Sequence, residues 1–132
     1  MQESKIFKVF KIIPAGVYNG MIWFLSSRPL PVNIGNFDKT AHLIEYCILG
    51  FLLAIAFELN RKNFNLTAKH CLILGSIAGG LDEIHQYFVP GRSMDIFDFM
   101  TDVTGIAAGI IVWLLFIKLL SYLKLNFFVK KA

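Results

Sequence analysis

Between Asp82 and Gly109 the chain reads DEIHQYFVPGRSMDIFDFMTDVTGIAAG, which sets five of the protein's nine acidic residues between two long apolar runs. A carboxylate in such a setting needs a partner, so the fold must bury polar groups against one another. The apolar character extends to the whole chain. Hydrophobic residues make up 56% of the 132 residues, and the mean hydropathy is +0.61. Both values are too high for a soluble domain of this size and point to membrane helices.

Four spans of about 20 residues with short connections use nearly the whole length. The expected architecture is therefore all-α: one polytopic four-transmembrane-helix bundle over residues 1–132, with spans near 8–27, 39–59, 68–88 and 94–121. The run from Ile12 to Leu25 has the length of a signal peptide. However, it lacks a small-x-small cleavage site and is interrupted by Pro14, Gly16, Asn19 and Gly20, so it reads as a retained first span with Trp23 near its exit. Pro29, Pro31 and Gly35 form the loop after it, and Asp38 is the expected N-cap of the second span. Val89-Pro90-Gly91 signals a turn, and Ser93 is the expected N-cap of the fourth span. Gly75, Gly79 and Gly80 on the third span, and Gly105 and Gly109 on the fourth, permit close helix contact. The tail from Tyr122 mixes Lys124, Lys130 and Lys131 with Phe127 and Phe128 and is expected to rest on the lipid surface. Cys47 and Cys71 should lie too far apart to bridge and read as small buried core residues.

The net charge of +4 is informative through its distribution. Lys5, Lys8 and Lys11, then Arg61, Lys62 and Lys69, then Lys118, Lys124, Lys130 and Lys131 fall on one side of the expected bundle. Only Arg28, Lys39 and Arg92 fall on the other. The positive-inside rule places both termini in the cytoplasm, so a membrane partner is expected and a nucleic-acid partner is not. Seven of the nine acids then share the outward half, with only Glu3 and Glu58 opposite.

Asp38, His42 and Tyr46 descend one face of the second helix, with Glu45 beside them. Glu83 and Gln86 follow Gly79 on the third helix, with Asp82 adjacent, and Asp95, Asp98 and Asp102 continue into Gly105 and Gly109 on the fourth. Asp38 and Asp95 are also explained as carboxylates at helix N-termini. Asp98 and Asp102 lie one and two turns further in, at about 5.4 Å per turn, where capping does not account for them. The structural role expected of Arg92 is pairing with Asp95 or Glu83, and a phosphate is compatible with it. His42 alone is an ordinary interior histidine, His85 flanks the Glu83 face toward the headgroups, and His70 belongs to the opposite end. His42, Glu83, Asp98 and Asp102 are of types that suit Mg²⁺, Mn²⁺ or Ca²⁺ better than Zn²⁺, but no metal-ligand motif is present and no cofactor is expected.

Several of these residues fall into ordered motifs. Asp38-Lys39-x-x-His42-x-x-x-Tyr46-x-x-Leu49-Gly50, then Asp82-Glu83-x-x-Gln86-x-Phe88-x-Pro90-Gly91-Arg92, then Asp98 and Gly105, with Ser26-Ser27-x-Pro29 upstream, resemble the VanZ-like family over about Trp23 to Gly109. Asp102 departs from that pattern, which usually carries Asn there. The family takes its name from an accessory teicoplanin-resistance membrane protein. The resemblance therefore implies a small multi-span protein of the bacterial cytoplasmic membrane, with no agreed reaction.

The expected function is binding or shielding of a polar lipid, a cell-wall precursor or a lipoglycopeptide antibiotic at an outward polar site. Its candidate residues are Asp38, His42, Tyr46, Asp82, Glu83, Gln86, Arg92, Asp95, Asp98 and Asp102. One alternative is an intramembrane enzyme acting on a lipid headgroup, with Glu83 as acid or base, Asp98 orienting, Arg92 stabilising phosphate and His42 transferring a proton. Another is a proton-coupled carrier.

Overall fold

Each apolar run becomes one helix. The computed structural model describes residues 5–29, 35–60 and 62–129. Along them run α1 (Lys5–Ser26), α2 (Gly35–Ala56), α3 (Phe64–Tyr87) and α4 (Ile96–Val129), with no strand among the described residues. Pro31, Arg61, Lys130 and Lys131 lie outside the described residues. Pro14 sits inside α1 without ending it; its missing N–H removes one backbone bond, which a helix in lipid tolerates.

The helix starts differ from the sequence expectation. α2 begins at Gly35, so Asp38 lies within its first turn and is not its N-cap. There it still offsets the helix dipole. Ser93 does not cap α4. The N-cap role falls to Asp95, whose Oδ1 accepts the Phe97 N–H at 2.8 Å while its carbonyl accepts the N–H groups of Asp98 and Phe99. That N–H and the Lys39 ammonium hold the Asp95 carboxyl below the usual carboxylate range. The tail does not separate from the fourth helix, because α4 continues through Tyr122 to Val129.

Between α2 and α3 the chain turns on a Schellman-type end. The Leu59 N–H reaches Ala54 O, the Glu58 N–H reaches Ile55 O, and Glu58 takes the left-handed φ of 53°. The buried Leu59 is then fastened by the Trp113 indole, which donates to its carbonyl at 2.8 Å. Between α3 and α4, the Arg92 N–H closes on Val89 O across Pro90 and Gly91. Gly91 supplies φ 82°, as the third position of a type II turn requires. This turn folds Arg92 back over the bundle.

Consecutive helices run in opposite directions. α2 packs most extensively on α4, α3 packs on both, and α1 rides on α2 and α3. The α2–α4 seam is a backbone contact. A Cβ on Gly105 would stand 2.8 Å from Leu43 O, one on Gly109 2.6 Å from Phe51 N, and one on Gly50 2.8 Å from Ile106 Cα. Along the same seam Tyr46, Leu49, Ile106 and Ile110 form the apolar core, with Cys71. Both cysteines are free, but only Cys71 is fully buried; Cys47 is partly buried, where the expectation was that both lie in the core.

Burial is inverted relative to a soluble protein. His42, Asp82, Glu83, Gln86, Asp98 and Asp102 are inside, while Ile44, Ile77, Ile84, Phe97, Met100 and Leu115 are exposed on the flanks. Among the described residues, two helical segments, Phe37–Ala56 and Ile96–Lys124, are long and apolar enough to cross a membrane. Only 33% and 22% of their most apolar windows are buried, whereas the core helix of a soluble fold is mostly buried. Asp82, Glu83, His85 and Gln86 dilute the apolar character of α3.

Gly109→Ala should push α4 from α2 and lower stability by about 1–3 kcal/mol. Gly16→Ala, with nothing within 4 Å of the added methyl, should be neutral or stabilising. Thermal unfolding in detergent compares the two directly.

Candidate functional site

The polar side chains gather where α1 and α3 end and α2 and α4 begin. On α2, His42 and Tyr46 stand one turn apart on the inward face, 2% and 0% exposed. On α4, Asp98 and Asp102 repeat that spacing, as do Asp82 and Gln86 on α3, where Glu83 also turns inward. α1 contributes Ser26 from its last turn.

The network starts at His42. Its Nδ1 lies 2.8 Å from Asp102 Oδ1, and its Nε2 faces the Gln86 amide nitrogen at 3.4 Å. That arrangement is self-consistent with Nδ1–H donating to Asp102 and Nε2 accepting. Gln86 links the layers. Its Nε2 donates to Asp82 Oδ2 at 2.9 Å, and its Oε1 accepts from Arg92 at 3.1 Å. Asp82 Oδ2 also receives the Ser26 hydroxyl at 2.8 Å.

Nearer the surface, Lys39 Nζ sits between Asp95 Oδ2 at 2.9 Å and Asp98 Oδ1 at 2.7 Å. Glu83 Oε2 accepts the Asp95 N–H at 2.9 Å, tying α3 to the start of α4. Arg92 pairs with Asp38 at 3.7 Å and donates to the Arg28 carbonyl at 3.1 Å. Its expected partners were Asp95 and Glu83. They are engaged by Lys39 and by a backbone N–H respectively, because the Val89–Arg92 turn carries the guanidinium to the α1 and α2 side.

All ten residues singled out from the sequence meet in this one region. Tyr46 contributes its ring, stacked parallel to His42 with centroids 6.2 Å apart, while its hydroxyl has no hydrogen-bond partner. Asp82 Oδ1, Glu83 Oε1 and Asp102 Oδ2 are likewise buried without one.

Lys39, which the sequence offers with Arg92 as a cation for an anionic headgroup, clamps two acids. Two contributors escaped the sequence reading as site residues. Ser26 donates to Asp82, and His85 stacks on Trp23 at 4.3 Å with its Nε2 2.9 Å from Ser27 Oγ. Ser26 was detectable as a hydroxyl at a helix exit facing that end. His85 gave no such signal. His70 is exposed at the opposite end.

Chemically, the region has a closed interior of carboxylates, an imidazole and an amide beneath a partly exposed mouth. Asp38, Lys39 and Asp95 form that mouth, at 23%, 39% and 36% side-chain exposure. An apolar-flanked helical bundle with a buried polar cluster at one end fits a membrane protein. The family model for VanZ/LLP1 matches residues 2–117, and the chain belongs to that family. An uncharacterized protein of Schizosaccharomyces pombe, C11E3.10, is 24% identical over 116 residues, covering 88% of this chain and 67% of its own length. No solved structure matches.

Ser26→Ala should leave the buried Asp82 with one donor fewer and cost about 1–2 kcal/mol of stability. Ser27→Ala, at an exposed position, should change stability by less than about 0.5 kcal/mol. Unfolding of the two variants in one detergent measures the difference.

Proposed function

We propose that the protein binds the polar headgroup of a membrane amphiphile at the mouth formed by Asp38, Lys39 and Asp95, backed by Arg92 and Asp98. The carrying observation is this polar cluster at one end of a bundle whose flanks are apolar and exposed. In this reading all four helices span the membrane, including the less apolar α3, whose polar residues face the other helices. Both termini lie in the cytoplasm, where the basic residues concentrate, and the mouth opens at the outer leaflet of a bacterial cytoplasmic membrane. A headgroup carrying both charges suits the mouth best. Asp38 and Asp95 would attract its amine, and Lys39 and Arg92 its phosphate.

A polar lipid is the broader ligand class that this mouth suits. A cell-wall precursor or a teicoplanin-type lipoglycopeptide is the narrower, bacterial form of the same reading.

A second reading, an intramembrane enzyme, is favoured by one observation: His42 is oriented by Asp102 beside the unpartnered Glu83 Oε1. Product formed from a headgroup lipid by the wild type and not by Glu83→Gln would establish it.

The binding reading is tested by native mass spectrometry of protein extracted gently from membranes. A defined lipid or wall intermediate should accompany the wild type and be lost from Asp98→Asn and Arg92→Ala. Equal bulk lipid in all three would overturn it.

A further inference from the structure

Beneath the mouth, three helices bring three metal-ligating side chains together. One nitrogen of His42 (α2) and one carboxylate oxygen each of Glu83 (α3) and Asp102 (α4) lie within 4.8 Å of one another. The three residues are 2%, 3% and 0% exposed.

Glu83 Oε1 and Asp102 Oδ2 have no hydrogen-bond partner. A buried carboxylate oxygen left so is strongly unfavourable, and apart from the Tyr46 hydroxyl, which also lacks a partner, the natural donors nearby are already engaged. Lys39 is held by Asp95 and Asp98, Arg92 by Gln86, Arg28 and Asp38, Ser26 by Asp82, and the Gln86 amide by Asp82 and His42. The charge balance points the same way. Asp38, Asp82, Glu83, Asp95, Asp98 and Asp102 converge on a region whose permanent cations are Lys39 and Arg92.

We infer that His42, Glu83 and Asp102 hold a divalent cation of the Mg²⁺ and Mn²⁺ class. Two carboxylates with one imidazole suit an ion that accepts oxygen and nitrogen ligands, with water completing its shell; among such ions Mn²⁺ tolerates the nitrogen best. A second trio, Asp38, His42 and Asp98, satisfies the same distance. Its carboxylates are already engaged by Arg92 and Lys39, whereas the deeper trio has oxygens to offer. The ion would join three helices at a point where α3 otherwise meets α4 as carboxylate against carboxylate. The inference does not depend on an amphiphile occupying the mouth.

The test is electron paramagnetic resonance of Mn²⁺ titrated into the full-length protein in detergent. One saturable Mn²⁺ per chain is expected, weakened at least about tenfold in Asp102→Asn and in Glu83→Gln. Glu58→Gln, at the opposite end of α2, should leave binding unchanged. As a readout independent of the variants, Mn²⁺ should raise the wild-type melting temperature saturably, and a chelator should reverse it. Absence of saturable binding up to about 1 mM, or of the melting shift, would overturn the inference. So would folded Asp102→Asn and Glu83→Gln proteins that bind as tightly as the wild type; the acids would then share protons instead of an ion.

Discussion

At Gly105 and Gly109 the backbones of α4 and α2 meet with no side chain between them, and the hydrogen bond from His42 to Asp102, one turn nearer the polar end, is available only through that approach. In a membrane no hydrophobic drive presses helices together, so such contacts and the bonds they permit hold the bundle. α3 then closes on the pair in two layers. Gly75 receives the Ile106 side chain, and Gly79 faces the Asp102 carboxylate. The same small residues that shape the apolar core thus position the acids.

The interior consequence is a network in which most polar groups serve two partners. Asp82 Oδ2 accepts from Ser26 and Gln86, Gln86 reaches Asp82 and Arg92, and Lys39 reaches Asp95 and Asp98. Cross-linking of this kind makes the site a property of all four helices. Disturbing one element shifts the donors of the others, so contributions within it will not add.

Much of this region was legible in the sequence because a helix repeats every three to four residues. The stripes Asp38-His42-Tyr46, Glu83-Gln86 and Asp98-Asp102 therefore state a common face before any contact is known. Helix starts were less legible. Asp38, Ser93 and Asp95 are all residues that cap helices, and composition does not tell which one terminates the turn. Ion-pair partners were illegible for a different reason: Arg92 reaches Asp38, and neither Asp95 nor Glu83, because of the fold-back at Gly91, a backbone event with no trace in the charge pattern. Family membership was carried by the spaced polar motifs. The apolarity of two of the four helices was legible in the same way, since Phe37–Ala56 and Ile96–Lys124 are long and apolar enough to cross a membrane.

The length of α4 has a consequence for the surrounding bilayer. Its apolar segment Ile96–Lys124 runs 29 residues, about 43 Å of helix at 1.5 Å per residue, against a hydrocarbon core of about 30 Å. Such a segment leans steeply, or the lipid around it thickens, and either response carries an elastic penalty that falls as the membrane grows thicker. In a membrane, bilayer thickness would thereby bear on how α4 tilts, independently of anything its polar end binds.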